Sequence, residues 1–180
     1  MKKNFLLLVF TAIAIASQAQ TAHKNAFKIN PGSLLIKTGN VSYERVVMPK
    51  QSLQVGAFYS GVGLGDFKYR GYAITTEYRF YVSKQQEELN GLYVSPFARF
   101  QSFTIANNKV KSEAQFNTIG GGATLGWQKS WNSGFVLNLF AGPSYNELKF
   151  RGEVIEEDFE IKEGIKGFGL RTGITLGFTF

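Results

Sequence analysis

Leu170-Arg171-Thr172-Gly173-Ile174-Thr175-Leu176-Gly177-Phe178-Thr179-Phe180 places apolar side chains and one threonine at the even positions, and small, polar or charged residues at the odd ones. Successive side chains of a β-strand point to opposite faces, so a period of two gives one greasy face and one small or polar face. A run of this length matches the roughly nine to eleven tilted residues with which a strand crosses a bilayer. The stretch therefore sets a template for the rest of the chain.

Working back, the template recurs. Phe135, Leu137, Leu139, Ala141, Pro143 and Tyr145 oppose Asn138, Gly142, Ser144 and Asn146, with Phe140 the one large residue on the second face. Ile119, Ala123, Leu125 and Trp127 oppose Thr118, Gly120, Gly122, Thr124, Gly126 and Gln128, and Leu92, Val94, Pro96, Ala98 and Phe100 oppose Ser95, Arg99 and Gln101. Tyr72, Ile74, Thr76, Tyr78, Phe80 and Val82 oppose Ala73, Thr75, Glu77 and Arg79, and Leu53, Val55, Ala57 and Tyr59 oppose Gln54, Gly56 and Ser60. The first two segments are less regular: Phe27, Ile29 and Pro31 against Lys28 and Asn30, then Val41, Tyr43 and Val47 against Ser42 and Glu44, with Arg45 out of phase. Pro31 reads as a kink or bulge in the first strand. Eight segments result, an even number as bacterial outer-membrane barrels have, so the expected fold is all-β, an eight-stranded antiparallel up-and-down transmembrane β-barrel.

Alternate connections differ in character. Met48 to Gln51, Ser83 to Gly91 and Lys129 to Gly134 read as periplasmic turns, and Lys37 to Gly39, Gly61 to Arg70, Ala106 to Ala114 and Arg151 to Lys166 as external loops. On that layout Tyr43, Phe80, Trp127, Phe135, Phe178 and Phe180 fall at the periplasmic rim, and Tyr59, Tyr72, Phe100, Tyr145 and Phe168 at the outer rim, as aromatic girdles. A soluble sandwich would aim its aromatics into a core, and Phe58, Tyr81, Tyr93, Phe97 and Phe140 do point inward.

At the other end of the chain, Lys2-Lys3, an apolar stretch from Phe5 to Ala16 and then Ser17-Gln18-Ala19 follow the charged, apolar, small-residue order of a secretory signal peptide. About twelve apolar residues fall short of the roughly twenty that a spanning helix needs. The expected organisation is residues 1–20 as a cleaved signal peptide and residues 21–180 as the barrel domain, exported to the outer membrane of a Gram-negative cell. Composition agrees, with 17 Phe, 8 Tyr and 20 Gly against 4 Pro and no Cys. The absence of cysteine excludes disulfides, thiolate metal sites and an N-terminal lipidated cysteine. The net charge of +7 becomes +5 without Lys2 and Lys3, and the cations are scattered singly, which speaks against a nucleic-acid partner.

Phe178 and Phe180 resemble the terminal aromatic signal by which the barrel-assembly machinery recognises outer-membrane barrels. The run Asn25-Ala26-Phe27-Lys28-Ile29-Asn30-Pro31 followed by Val41-Ser42-Tyr43-Glu44-Arg45 is similar to a family of uncharacterised small barrels common in Bacteroidetes, with an architecture like that of OmpA- and OmpX-type barrels. The resemblance implies fold and location, with outer-membrane lipid and the assembly machinery as partners, and carries no chemistry to particular residues.

Lys28, Glu44, Glu77, Arg79, Arg99 and Arg171 are expected inside the barrel. Eight strands leave an interior just wide enough for side chains to fill, so these charges must pair or bind water, which gives a plugged, salt-bridged lumen; a narrow gated pore is the alternative. The one histidine, His23, precedes the first strand, so no histidine-based triad can be built and no catalytic residue or cofactor is expected. Glu153, Glu156, Glu157, Asp158, Glu160 and Glu163 form an acidic loop, a weak cation site without calcium-loop spacing, and no metal is assigned. Gly61 to Gly65 lacks the helix and Lys-Ser/Thr of a phosphate cradle, and Gly120-Gly121-Gly122 permits curvature or close approach of an inward aromatic. The expected function is a non-enzymatic outer-membrane barrel presenting external loops for envelope integrity or surface contact to an unknown ligand or protein. The competing class is a soluble periplasmic barrel carrying a small apolar ligand, whose greasy face would line the inside.

Overall fold

The computed structural model describes residues 24–35, 37–64, 67–83, 89–107, 112–151 and 165–180. The expected signal peptide, His23 and the acidic set from Glu153 to Glu163 lie outside the described residues. The elements are β1 (Asn25–Ile29), α1 (Pro31–Leu35), β2 (Thr38–Met48), β3 (Gln51–Leu64), β4 (Phe67–Tyr81), β5 (Gly91–Asn107), β6 (Ser112–Ser130), β7 (Phe135–Arg151) and β8 (Ile165–Thr179). The eight strands pair antiparallel in chain order into a closed up-and-down barrel. β1 meets β8 from Ala26↔Thr179 to Ile29↔Leu176. Beyond that pairing, the N–H of Asn25 donates to the carbonyl of Phe180 at 3.0 Å and the N–H of Phe180 to that of Asn25 at 2.9 Å.

The period of two sorts the side chains as the alternation requires. Phe27, Val55, Ile74, Val94, Leu125 and Ile174 point outward and are exposed, while Lys28, Gln54, Thr75, Ser95, Thr124 and Thr175 point inward and are buried. The centre of this molecule is therefore polar. Its small apolar cluster of Ala26, Tyr81, Leu89 and Tyr93, joined by Val46 and Phe140, sits at the end where β1 begins. Leu89, two residues before β5, is almost fully buried and packs into the barrel at this end.

Three expectations about strand ends need correction. Pro31 does not kink β1; it opens α1, where its missing N–H would have had no partner anyway. Asn30 caps the helix, its Oδ1 accepting from the N–H of Ser33 at 3.3 Å and its carbonyl from the Ser33 hydroxyl at 2.7 Å. The connection from β1 to β2 thus begins at Asn30, and Thr38 and Gly39 already belong to β2. The expected loops Gly61–Arg70 and Ala106–Ala114 are likewise largely strand: Gly61↔Arg70 through Leu64↔Phe67 continue the β3–β4 ladder, and β5 and β6 pair out to Asn107↔Ser112. The apolar alternation ends before the strands do, because the backbone N–H and C=O groups still need partners and go on pairing.

Inward aromatics lie over glycines directly across the ladder. Tyr93 faces Gly126, Phe97 faces Gly122, Phe103 faces Gly71 and Phe140 faces Gly173. A Cβ on Gly126 would collide with the Tyr93 ring, and one on Gly122 would meet Phe97 at 3.1 Å. The glycines are thus the floor on which the rings pack, one of the two roles expected of Gly120 to Gly122. Gly126→Val should cost about 1–3 kcal/mol by overpacking. Gly167→Val, where a Cβ meets nothing within 4 Å, should stay within about 0.5 kcal/mol of the parent. Urea unfolding of both variants checks the pair, and equal stabilities would refute the packing role.

Candidate functional site

Every strand sends a hydrogen-bonding side chain into the inner half of the barrel. The centre is Glu44 on β2, which alternation turns inward and leaves fully buried. Its Oε2 accepts from Lys28 Nζ of β1 and from Arg79 Nη1 of β4, the latter at 3.2 Å. Its Oε1 accepts from the Ser52 hydroxyl of β3 and from the Tyr81 hydroxyl at 2.8 Å. Four donors fill the capacity of an ionised carboxylate.

Arg79 carries the network onward. Its Nη2 and Nε reach Glu77 Oε2 at 3.0 and 3.3 Å, and its guanidinium carbon lies 4.4 Å from the centre of the Tyr93 ring. Gln128 of β6 accepts from Lys28 Nζ at 2.8 Å and from Arg79 Nη1 at 3.2 Å, while its amide nitrogen donates to the Leu89 carbonyl at 3.0 Å. That carbonyl also takes the Ser130 hydroxyl at 3.0 Å, which ties the β4–β5 turn to the barrel floor. The Tyr93 hydroxyl of β5 donates to Asn138 of β7 at 2.8 Å, and Asn138 donates to Thr175 of β8 at 3.0 Å. Arg171 of β8 closes the circuit, its Nη2 donating to Glu77 Oε1 at 2.5 Å.

Of the six ionisable residues expected in the lumen, Lys28, Glu44, Arg79, Glu77 and Arg171 form one alternating chain of charges. Arg99 points inward at a higher level, makes no ion pair among the described residues, and lies 5.9 Å from the Phe58 ring centre. Tyr81, Tyr93, Gln128 and Asn138, already placed on the inner face by the alternation, complete the network together with Ser52, though none is among the expected lumen site residues. Parity alone would have turned them inward, since each shares a strand face with a recognised lumen residue or a glycine. Nothing in the sequence marks Leu89. Chemically the cluster is a hydrogen-bonded set of buried polar and charged side chains, in which Ser52 donates to the Glu44 carboxylate and is itself fully buried.

The outer surface is the inverse. Tyr43, Phe27, Phe178 and Phe135 stand in one row across four strands, with Phe135 and Phe178 edge to face at 6.0 Å. Phe80 and Trp127 lie on outward positions near the same end, and Phe180 is half-buried at the β1–β8 seam. At the other end Tyr59 is across from Tyr72, Tyr72 packs on Phe100 at 6.2 Å, and Tyr145 packs on Phe168 at 5.1 Å. Outward charges occur beyond these rows, Arg45 and Lys129 at one end and Lys68, Arg70, Glu147, Lys149 and Lys166 at the other. Phe168 and Phe178 stand ten residues apart on β8, about 33 Å along the strand at the usual rise per residue.

Among the described residues no helix is long and apolar enough to cross a membrane, which says nothing of a barrel, and no group of metal-binding side chains gathers. A family model described as a protein of unknown function (DUF3575) matches residues 5–180. No curated protein and no solved structure matches the chain.

Proposed function

The chain belongs to the DUF3575 family of proteins of unknown function, and on that footing we propose that it is a non-enzymatic integral outer-membrane barrel, similar in architecture to OmpA- and OmpX-type proteins. Residues 1–20 serve as the export signal, the barrel-assembly machinery inserts the rest, and the plugged wall is a rigid mount for external loops that serve envelope integrity or surface contact. The observation that carries the reading is the inversion of the usual soluble pattern. Ion pairs fill the inside, an uncharged apolar belt covers the outside, and aromatic rows bound that belt on both edges. Water penalises such a belt, whereas lipid is its natural surround.

A soluble carrier of an apolar ligand gains no support, because its greasy face would have to line the lumen. A continuous pore gains none either, since Lys28, Glu44, Arg79, Gln128 and Asn138 are fully buried across the inner half. The expected result is that the protein stays with the membrane after carbonate washing and, once solubilised in detergent, migrates differently on a gel before and after boiling. Release into the wash would overturn the proposal.

A further inference from the structure

We propose that the outer half of the lumen holds an oxyanion site, in which Arg99 and Arg171 grip a carboxylate or phosphate group. Four lumen cations face two carboxylates, and the imbalance is local. Lys28 and Arg79 have their counter-charges in Glu44 and Glu77 and share the oxygen of Gln128. Arg171 gives Nη2 to Glu77, but its Nη1 is buried with no partner; the Nε of Arg99 is in the same condition.

The two guanidinium groups lie against neighbouring rings of the inner wall, Arg99 against Phe58 and Arg171 against Phe97 and Phe140. Arg171 reaches across from β8 to lie 4.6 Å from the ring centre of Phe97, which shares the inward face of β5 with Arg99 two residues on. Like charges in a low-dielectric interior repel unless a counter-charge joins them, and buried N–H donors left unpaired are costly. An oxyanion between the two would answer both, and arginine's planar fork suits carboxylate and phosphate alike.

The level is reachable by two routes. Through the mouth, the inward side chains above it, Phe58, Gln101, Phe103 and Asn146, are half-buried rather than sealed. Through the wall, β1 pairs with β8 only up to Ile29↔Leu176, five residues below Arg171, and α1 rather than a strand stands beside the outer part of β8. Lys166 to Leu170 are exposed without a break, the inward positions Gly167 and Gly169 included. A free ion would use the mouth. A lipid headgroup could enter the gap with its chain left outside against Phe168 and Leu170.

The full chain, folded in dodecyl maltoside, is titrated in parallel with inorganic phosphate and with decyl phosphate. Saturable binding is expected, at least tenfold weaker in Arg99→Gln and several-fold weaker in Arg171→Lys. The ligand-free melting temperature of Arg99→Gln should be no lower than the parent's, since an unpaired buried charge has gone. Decyl phosphate binding more tightly than phosphate, with the same loss in Arg99→Gln, assigns the anion to a lipid headgroup; equal affinities assign it to a free ion. No saturable binding by the parent, or unchanged affinity in Arg99→Gln, overturns the site and leaves the donors to lumen water. Should Arg99→Gln not fold, Arg171→Lys makes the same comparison. The site lies inside the barrel, so its failure would not touch the membrane reading.

Discussion

Glu44→Ala is expected to lower folding stability by about 3–5 kcal/mol, because it strands a buried ammonium and half of a buried guanidinium in one step. Lys28 would keep only the neutral oxygen of Gln128, while Arg79 would keep Glu77 as its counter-charge. The Ser52 and Tyr81 hydroxyls would lose their acceptor as well. The loss does not mean that the ion pairs are strong net stabilisers, since taking both charges out of water cancels much of their attraction. It means that the remaining members cannot be solvated. Glu44→Leu combined with Lys28→Met should therefore be more stable than Glu44→Ala alone, with a coupling of about 0.5–3 kcal/mol in a double-mutant cycle. The measurement is the urea midpoint of detergent- or vesicle-folded protein. A Glu44→Ala midpoint equal to the parent's would show that water already fills the inner lumen and that no plug exists.

The parts of this molecule legible in the sequence are those fixed by a period of two. The facing of β8 from Leu170 to Phe180, like the burial of Glu77 and Arg79 against the outward facing of Tyr78 and Phe80 on β4, follows from the pleat and needs no tertiary knowledge. Strand ends are less legible, because ladder pairing at Gly61↔Arg70 outlasts the apolar pattern, and because Pro31 has two uses, strand kink and helix start, that only the Asn30 cap decides. Pairing within the lumen is the least legible. Parity places Arg99 and Arg79 alike on the inside, but which cation meets Glu44 depends on barrel stagger, which brings Lys28 and Arg79 to one level and leaves Arg99 above it. Leu89 illustrates the limit: a turn residue between two strands gives no periodic signal, and its burial depends on the acceptor that its carbonyl offers to Gln128 and Ser130.

Ile174→Arg is the substitution that separates a lipid-facing belt from a merely apolar one. Ile174 is outward, 54% exposed and paired with Leu139. It lies four residues from Phe178 and six from Phe168, near the middle of the belt. If the belt faces lipid, the guanidinium has no water at that depth, and folding into vesicles should be less favourable by about 2–4 kcal/mol. If the belt faces water, an exposed isoleucine is exchanged for an exposed arginine and the change should stay within about 0.5 kcal/mol. Val47→Arg provides the internal standard. It sits two residues from the natural outward Arg45, beyond the aromatic row that contains Tyr43, and should cost about 0–1 kcal/mol in either surround. The decisive quantity is the difference between the two variants, since both replace an exposed β-branched residue by the same side chain, and Val47, at the bulge between Val46 and Met48, has even less ladder pairing to lose. A difference of about 2 kcal/mol or more follows from the depth dependence of charge burial in lipid. Equal costs would leave the outward face as a surface of unknown use and remove the main support for the membrane proposal.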